Sequence, residues 1–390
     1  MLVPTLLGVD LASYSVATSM YECFGLKSHA FGRYRCGISY FCDLIHTHHH
    51  PDLLRPEVAR ELLLSFAARQ DKPCLLIPTT DWYVDLALKL RAELSEAFML
   101  AIPEPSHFYE LAHKENLYRS LDTYGIAHPE TKVFRVGESV EWSTFPAIVK
   151  PSCSYEAERC HFAGQRKVYI VENREGLDSV LALLLLYHCG ISYLLQPYMK
   201  AERSYVLTIL SQRNFGVRAA VLAEVAVEEI GDTSRGNYCA LLVRELNETA
   251  RRLIAFCDSI GYEGIVNFDI IRTEFGDMVL DMNMRVGRSV DYLRGAGHRV
   301  GDFLYKSQNR YNPYPERFAC AKVLWRSVRD RELLKLSPPR LRGEIREKLR
   351  CGFACSPYDR GVRRHSPVEW LYQSVHLARA TRATALAYKR

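Results

Sequence analysis

Short apolar runs alternate with amphipathic segments over the first hundred residues. The apolar runs have the length of buried strands, and the amphipathic segments have the 3.6-residue spacing of helices. The strands are predicted at 3–7, 27–31 and 73–78, and the helices at 15–24 and 56–68. Strands that alternate with helices predict a parallel sheet, and ligands bind at the carboxyl edge of such sheets. Gly8 and Asp10 follow the first strand and are therefore candidate substrate residues; an ordinary strand-to-helix turn is the alternative.

The pattern changes after residue 190. Runs at 204–210 and 216–224 predict an antiparallel meander, and residues 248–260 predict a helix that ends at Gly261. Two further apolar runs, at 265–271 and 278–282, flank a polar turn, which is typical of a β-hairpin.

Three oxygen-bearing side chains lie on this hairpin. Asp269 is in its first strand, and Asp281 and Asn283 are two positions apart in the second, so the latter two point to the same side. Hard divalent cations such as Mg²⁺ or Mn²⁺ prefer oxygen ligands. The hairpin therefore predicts a metal site, with solvated carboxylates at a strand end as the alternative. Arg285 and Arg288 follow, where cations would hold a phosphate or an acyl phosphate.

A second charged position follows an apolar strand. The segment at 145–151, FPAIVKP, is predicted to be an apolar strand with Lys150 near its end. A lysine there would be costly to bury without an anion. Lys150 is therefore a candidate phosphate contact.

These motifs resemble, in this order, the D-aspartate ligase branch of the ATP-grasp carboxylate–amine ligases. The resemblance covers residues 4–310 and includes FPAIVKPS, FAGQRKVY, GNYCA and NMRVGRS. In that family an acid, an Asn two positions later and an Arg end the last core strand, as Asp281, Asn283 and Arg285 do here. The chain has Met284 where the family usually has Pro, and it lacks the glycine-rich phosphate loop that many members carry.

The resemblance implies an α/β (α+β) architecture with three parts. These are an N-terminal α/β domain at 1–105, an ATP-grasp domain at 106–318 with lobes at 106–200 and 201–318, and a basic helical region at 319–390.

The resemblance also implies roles for individual residues. Lys114 and Lys150 would contact the phosphates, and Arg285 and Arg288 would act in catalysis with Lys150. Ser289 would help to hold the substrate. The segment after 193–196 would bind the nucleoside, with adenine lined by Gln196, Tyr198 and Met199 and ribose held by Glu202.

The activity implied is ATP-dependent formation of an amide or isopeptide bond through an acyl phosphate. The family's best-known reaction joins D-aspartate to the lysine side chain of a peptidoglycan precursor. Other amino acids or natural-product peptides are alternative substrates, and a non-catalytic nucleotide-binding scaffold is the alternative from another class. Intact acids and cations on the hairpin argue against the scaffold.

Composition adds few constraints. Residues 311–390 contain 18 Lys and Arg against 7 Asp and Glu, so the C-terminal region would suit a membrane surface or an anionic acceptor, although a solvated basic face is the simpler interpretation. No nucleic acid is expected as a partner.

The sequence also bears on localisation. No apolar run is long enough to span a bilayer, no signal peptide is evident, and the 12 cysteines contain no C-x-x-C pair, so we expect a cytoplasmic protein. The segment at 46–50, which contains four histidines, is predicted to be a solvated loop, with a metal site as the alternative.

Overall fold

The N-terminal residues form the predicted alternation of strands and helices. The computed structural model describes residues 2–187, 190–229, 236–308, 312–318, 321–359 and 367–387. The first elements are β1 Val3–Leu7, α1 Leu11–Phe24, β2 Ser28–Gly32, α2 Gly37–Tyr40, β3 Ile45–His49, α3 Pro56–Ala67, β4 Cys74–Pro78, α4 Asp81–Lys89, α5 Arg91–Leu94 and β5 Phe98–Leu100. Strands β1 to β5 are parallel and lie in the order β3-β2-β1-β4-β5. The chain therefore reverses direction across the sheet between β1 and β4, which is where ligands bind in such folds.

Helix α1 begins four residues before its predicted start at Ser15. The Oδ1 atom of Asp10 accepts a hydrogen bond from the backbone N–H of Ser13 at 3.2 Å, so Asp10 caps the helix. Gly25 ends it in the left-handed conformation, as predicted.

The prediction of a solvated histidine loop is wrong. Residues Ile45–His49 form β3, an edge strand that pairs with β2. The ring of His48 stacks on Phe31 at 4.4 Å, and its Nε2 atom lies 3.0 Å from Nδ1 of His29. These histidines pack as aromatic sheet residues, and burial lowers the pKa of His29 to about 4. The prediction of a loop rested on the polarity of the segment, which does not reveal this packing of rings between neighbouring elements.

A smaller antiparallel sheet follows. Its elements are α6 Pro105–Leu111, α7 Lys114–Asp122, β6 Lys132–Arg135, β7 Ala147–Pro151, α8 Ser154–Ala157, β8 Tyr169–Val171, α9 Arg174–Tyr187 and β9 Ser192–Pro197. The strands lie in the order β6-β9-β7-β8. Helices α6 and α7 are separate, because the chain breaks at His113, whose backbone forms a bridge with Cys153.

The largest sheet carries the predicted meander and hairpin. Its first elements are β10 Arg203–Gln212, β11 Gly216–Glu228, β12 Tyr238–Arg244, α10 Glu248–Ser259, β13 Gly264–Thr273, β14 Gly276–Asn283, α11 Tyr292–Gly295 and α12 Val300–Ser307. Strand β12 was not predicted; its start lies in the segment GNYCA, which was noted in the sequence only as part of the resemblance.

The C-terminal region adds two strands to its helices. Its elements are β15 Leu324–Arg326, α13 Asp330–Leu336, α14 Pro339–Arg350, β16 Ala354–Cys355 and α15 Pro367–Ala387. Strand β15 pairs with β12, so the sheet order is β14-β13-β10-β11-β12-β15-β16. Some of the basic charge of this region is used internally: Arg340 donates a hydrogen bond to Glu224 of β11, which is only 1% exposed and also accepts one from Arg244 of β12. In the part of the chain that the structure describes, no helix has the length and apolar character needed to cross a bilayer.

The large sheet is covered on both faces. On one face Phe268 and Ile270 of β13 pack in a cluster with Phe256 of α10. The other face packs against α1 and α12, in a cluster that includes Ile265. Because side chains alternate along a strand, Asp269 lies on the second face, toward the N-terminal sheet.

The contact between α12 and α1 depends on a glycine. A Cβ atom at Gly301 would lie 2.8 Å from the backbone carbon and oxygen of Ser19, closer than packed atoms can approach. We expect Gly301→Ala to lower the free energy of unfolding by about 1–3 kcal/mol through overpacking. Gly343 in α14 has open space around its Cα, so Gly343→Ala is the matched control and should stabilise by up to about 1 kcal/mol. Urea unfolding of both variants checks this, and equal stabilities would contradict the packing argument.

Candidate active site

The hairpin places two carboxylates opposite each other. Asp269 of β13 and Asp281 of β14 are cross-strand partners, and such partners project from the same face of a sheet. Asn283 is two positions beyond Asp281, and its Nδ2 atom donates a hydrogen bond to Oδ2 of Asp269 at 3.2 Å. Met284 is buried in the hydrophobic core on the other face. The three predicted metal ligands therefore converge.

Two lysines face these acids. Lys114 is the first residue of α7, is 4% exposed, and its Nζ atom lies 3.1 Å from Oδ2 of Asp281. Lys150 lies in β7, and its Nζ atom donates to the hydroxyl of Tyr118 at 3.5 Å. The site is thus built between the large sheet and the small one.

The charges of these four side chains influence one another. Burial, with the negative charge of Asp281 as the next cause, raises the pKa of Asp269 to about 6. Burial acts in the same direction on Asp281, but Lys114 and Lys150 outweigh it and lower the pKa of Asp281. Burial, reinforced by the positive charge of Lys114, lowers the pKa of Lys150 to about 7. Asp269 and Lys150 are therefore the two groups of this set whose charged forms the folded protein disfavours.

This donor set fits a divalent cation. Two carboxylates and an amide oxygen on adjacent strands match the oxygen ligands that Mg²⁺ takes from proteins, with phosphates and water completing its shell. The raised pKa of Asp269 also favours a cation at this position, since a cation between Asp269 and Asp281 would offset their repulsion.

The arginines beyond the hairpin connect it to the N-terminal sheet. The guanidinium of Arg285 donates to Asp81 at 3.3 Å and to Oδ1 of Asn283 at 3.1 Å. Arg288 forms an ion pair of 2.9 Å with Glu229. Asp81 follows β4, so the carboxyl edge of the parallel sheet borders the site.

The predicted substrate residues lie at this edge. Gly8 has a φ of +136°, and a side chain there would overlap that of Thr79. Asp10 is within electrostatic range of both Arg285 and Arg288, although its carboxylate also caps α1. Ser289 is 8% exposed in the turn after Arg288. Their roles in substrate binding stay predictions.

The predicted nucleoside residues lie where β9 leaves the small sheet for β10. Gln196 is 2% exposed, and its amide donates to Thr131 at 2.8 Å. Tyr198 is 44% exposed and its backbone N–H donates to the Pro146 carbonyl at 2.8 Å. Met199 is partly buried and Glu202 is exposed. This segment links the two sheets, and its contact with a nucleoside stays a prediction.

Two tyrosines that sequence reasoning missed support the charged groups. Tyr118 accepts hydrogen bonds from Lys150 and, at 3.4 Å, from Gln196, and it donates to the Leu280 carbonyl at 2.9 Å. Tyr238 donates to Oδ1 of Asp269 at 2.6 Å. Tyr238 lies within the GNYCA motif, so its position was noted without a role.

Two polar residues near β13 and β4 were also missed. Asn267 donates to the Arg285 carbonyl at 2.8 Å, and its Oδ1 accepts from Thr208 at 2.6 Å, which fixes the chain after the hairpin. Asp81 follows β4 as Asp10 follows β1, so the rule that selected Asp10 would have found Asp81 as well.

One characterised enzyme shares recognisable sequence with the chain. A D-aspartate ligase from Enterococcus faecium (strain Aus0004) is 26% identical over 331 residues, which cover 80% of this chain and 78% of that enzyme. No protein-family model matches the chain.

Solved structures share the fold at lower identity. The biotin carboxylase domain of a 2-oxoglutarate carboxylase from Hydrogenobacter thermophilus, in complex with MgADP, has a TM-score of 0.62 at 13% identity, covering 83% of this chain and 73% of that one. An L-amino acid ligase from Bacillus licheniformis has a TM-score of 0.57 at 12% identity, covering 79% of this chain and 74% of that one. An N5-carboxyaminoimidazole ribonucleotide synthetase in complex with ADP has a TM-score of 0.59 at 11% identity, covering 83% and 81%. The ATP-grasp fold and the resemblance inferred from the sequence are confirmed.

The lowered pKa of Lys150 gives a test of the site's electrostatics. The folded protein lowers this pKa from its ordinary value of 10.5 to about 7, so the charged lysine destabilises the fold, most strongly at and below pH 7. We expect Lys150→Met to raise the Tm of the ligand-free protein at pH 7 by about 2–4 °C, and the gain to shrink as the pH approaches 10.

Differential scanning fluorimetry across pH measures this difference. Lys200→Met is the control, because Lys200 is exposed in the segment that follows β9 of the same sheet and should show no such pH-dependent gain. A lower Tm for Lys150→Met at pH 7 would contradict the electrostatic assignment.

Proposed function

We propose that this chain, an ATP-grasp ligase that forms C–N bonds, joins the β-carboxylate of D-aspartate to the side-chain amine of a lysine in a peptidoglycan precursor. The convergence of Asp269, Asp281 and Asn283 with two lysines supports the use of a metal-bound nucleotide. The named acid and acceptor rest on the similarity to D-aspartate ligase. A reaction of this kind would take place in the cytoplasm.

The proposed reaction has two steps. A carboxylate oxygen of the acid attacks the γ-phosphorus of ATP, the bond to the β-phosphate oxygen breaks, and ADP leaves. The acceptor amine then attacks the acyl carbon, inorganic phosphate leaves, and the amine loses a proton. Neither step needs a covalent bond to the protein, so catalysis would consist of positioning and charge stabilisation.

Asp269, Asp281 and Asn283 would hold Mg²⁺. When bound, the ion would neutralise charge on the β- and γ-phosphates during transfer. Lys114 and Lys150 would contact the phosphates, because both ammonium groups act on the acid pair and, among the described residues, no carboxylate lies within 4 Å of Lys150.

The adenosine would lie along the segment that leaves β9. There Tyr198 and Met199 would cover the adenine, Gln196 would border it, and Glu202 would accept hydrogen bonds from the ribose hydroxyls. An apolar wall with a few polar groups suits such a flat heterocycle.

The amino acid would bind between the hairpin end and the edge of the parallel sheet. Arg285, which Asp81 and Asn283 orient, would stabilise the transferring phosphoryl and acyl oxygens. Arg288 and Ser289 would hold the α-carboxylate, and Asp10 would lie close to the ammonium group, with Gly8 allowing close approach of the backbone. Contact between the anionic acceptor and the basic C-terminal region stays a prediction.

The metal assignment is tested by Asp281→Asn. Removing one carboxylate from the proposed ligand set should lower turnover by about 10²-fold or more, since the charge acts on the transition state. Glu274→Gln, an exposed acid in the turn of the same hairpin, is the control and should keep wild-type turnover. ADP release measures both, and full activity of Asp281→Asn would refute the assignment.

The substrate assignment is tested by offering different acids. With a lysine-containing muropeptide precursor, ATP and Mg²⁺, we expect D-aspartate to give ADP and an aspartylated product, and L-aspartate to give at least about 10-fold less. Mass spectrometry identifies the product. Preference for another amino acid would keep the ligase chemistry and reject the named substrate, whereas no ADP release with any acid would favour the non-catalytic scaffold.

A further inference from the structure

Three potential metal ligands lie together beside the phosphate-binding lysines. His113 precedes α7, Cys153 follows β7, and Glu156 is in α8. One ligand atom from each lies within 4.8 Å of the other two. None of the three belongs to the acid pair on the hairpin, so this cluster is a separate feature.

The backbone holds two of these residues together. His113 and Cys153 form an antiparallel bridge, and the backbone N–H of Lys114 donates to the Ser152 carbonyl at 3.2 Å. Cys153 is 1% exposed, and burial raises the pKa of its thiol to about 12. The thiol is therefore the form present without an ion, and a bound metal ion would deprotonate it.

The spacing fits a coordinated ion better than a hydrogen bond. Nε2 of His113 lies 3.7 Å from Oε1 of Glu156, which is too long for a hydrogen bond. Two ligand atoms about 2.1 Å from a tetrahedral ion would lie roughly 3.4 Å apart. The side chains of His113 and Glu156 are 24% and 32% exposed, so water can reach a fourth position.

The other nitrogen of His113 faces a second carboxylate. Nδ1 lies 3.9 Å from Oε1 of Glu115, whose other oxygen accepts a hydrogen bond from Ser152. At this distance the contact is electrostatic and not a hydrogen bond, but a carboxylate on this side favours the tautomer with its proton on Nδ1, which leaves Nε2 available to a metal ion.

We propose that His113, Cys153 and Glu156 bind a transition-metal ion of the Zn²⁺ class, with water as the fourth ligand. One nitrogen, one sulfur and one oxygen donor suit Zn²⁺ and not Mg²⁺, which takes oxygen ligands. On binding, the Cys153 thiol loses its proton to solvent and a metal–sulfur bond forms. A bound ion would link the segment from Ser152 to Ser154 to the start of α7, where Lys114 lies.

Co²⁺ is a suitable probe because a cobalt–thiolate bond gives a near-ultraviolet charge-transfer band. The reduced, metal-free full chain is titrated with Co²⁺ in excess Mg²⁺. We expect a band that saturates at one Co²⁺ per chain and that Zn²⁺ removes. Cys153→Ser should lack the band, and Glu156→Gln should bind Co²⁺ at least about 10-fold more weakly.

Two controls locate the site. Cys160→Ser removes a neighbouring thiol, and Asp281→Asn alters the hairpin acids; both should keep the band. The proposal is overturned if the wild-type chain shows no band, if Cys153→Ser retains it, or if Asp281→Asn abolishes it. Glu156 is partly exposed, so an unchanged Co²⁺ affinity of Glu156→Gln would also overturn it, even where Cys153→Ser does not fold.

Discussion

Repulsion between two facing carboxylates is the constraint that organises this structure. Asp269 and Asp281 occupy paired positions on adjacent strands, and the fold tolerates their repulsion because positively charged side chains lie next to them. One cation, Lys114, is at the start of α7, so this helix must dock against the edge strand β14. The backbone hydrogen bond of 2.9 Å from Val279 to Ala127 attaches the chain beyond α7 to that edge. Electrostatic balance and packing therefore require the same arrangement.

The site also depends on the parallel sheet. Asp81, at the carboxyl edge of that sheet, binds the guanidinium of Arg285. Helices α1 and α12 pack in one core cluster, and this contact fixes the position of the parallel sheet relative to the large sheet. A shift of the N-terminal part would remove the partner of Arg285 and leave a charge without compensation. Helix packing far from the acids thus determines the geometry of a catalytic candidate.

Local patterns made the hairpin and β7 predictable. The two-residue spacing of Asp281 and Asn283 and the apolar run before Lys150 are properties of short segments. The strand at 45–49 could not be predicted in this way, because its histidines are stabilised by rings from β2 and α3. Tyr118 was missed for a similar reason, since its hydroxyl meets Lys150 and Gln196 from elements distant in sequence.

Each cation proposed to hold a ligand, apart from Lys150, already has an acidic partner, so binding would exchange one partner for another. ATP alone would take Lys114 from Asp281 and leave two adjacent carboxylates uncompensated. Mg²⁺ bound to ATP would supply an anion to the lysines and a cation to the acids, so the exchange would be balanced. The pair of Arg288 and Glu229 would follow the same rule, because the carboxylate of an amino acid would take Arg288 from Glu229 while the ammonium group would bring a positive charge to the acids of this region, Asp10 and Glu229. Selectivity for ligands that carry both charges would thus be a consequence of ion pairs within the ligand-free site.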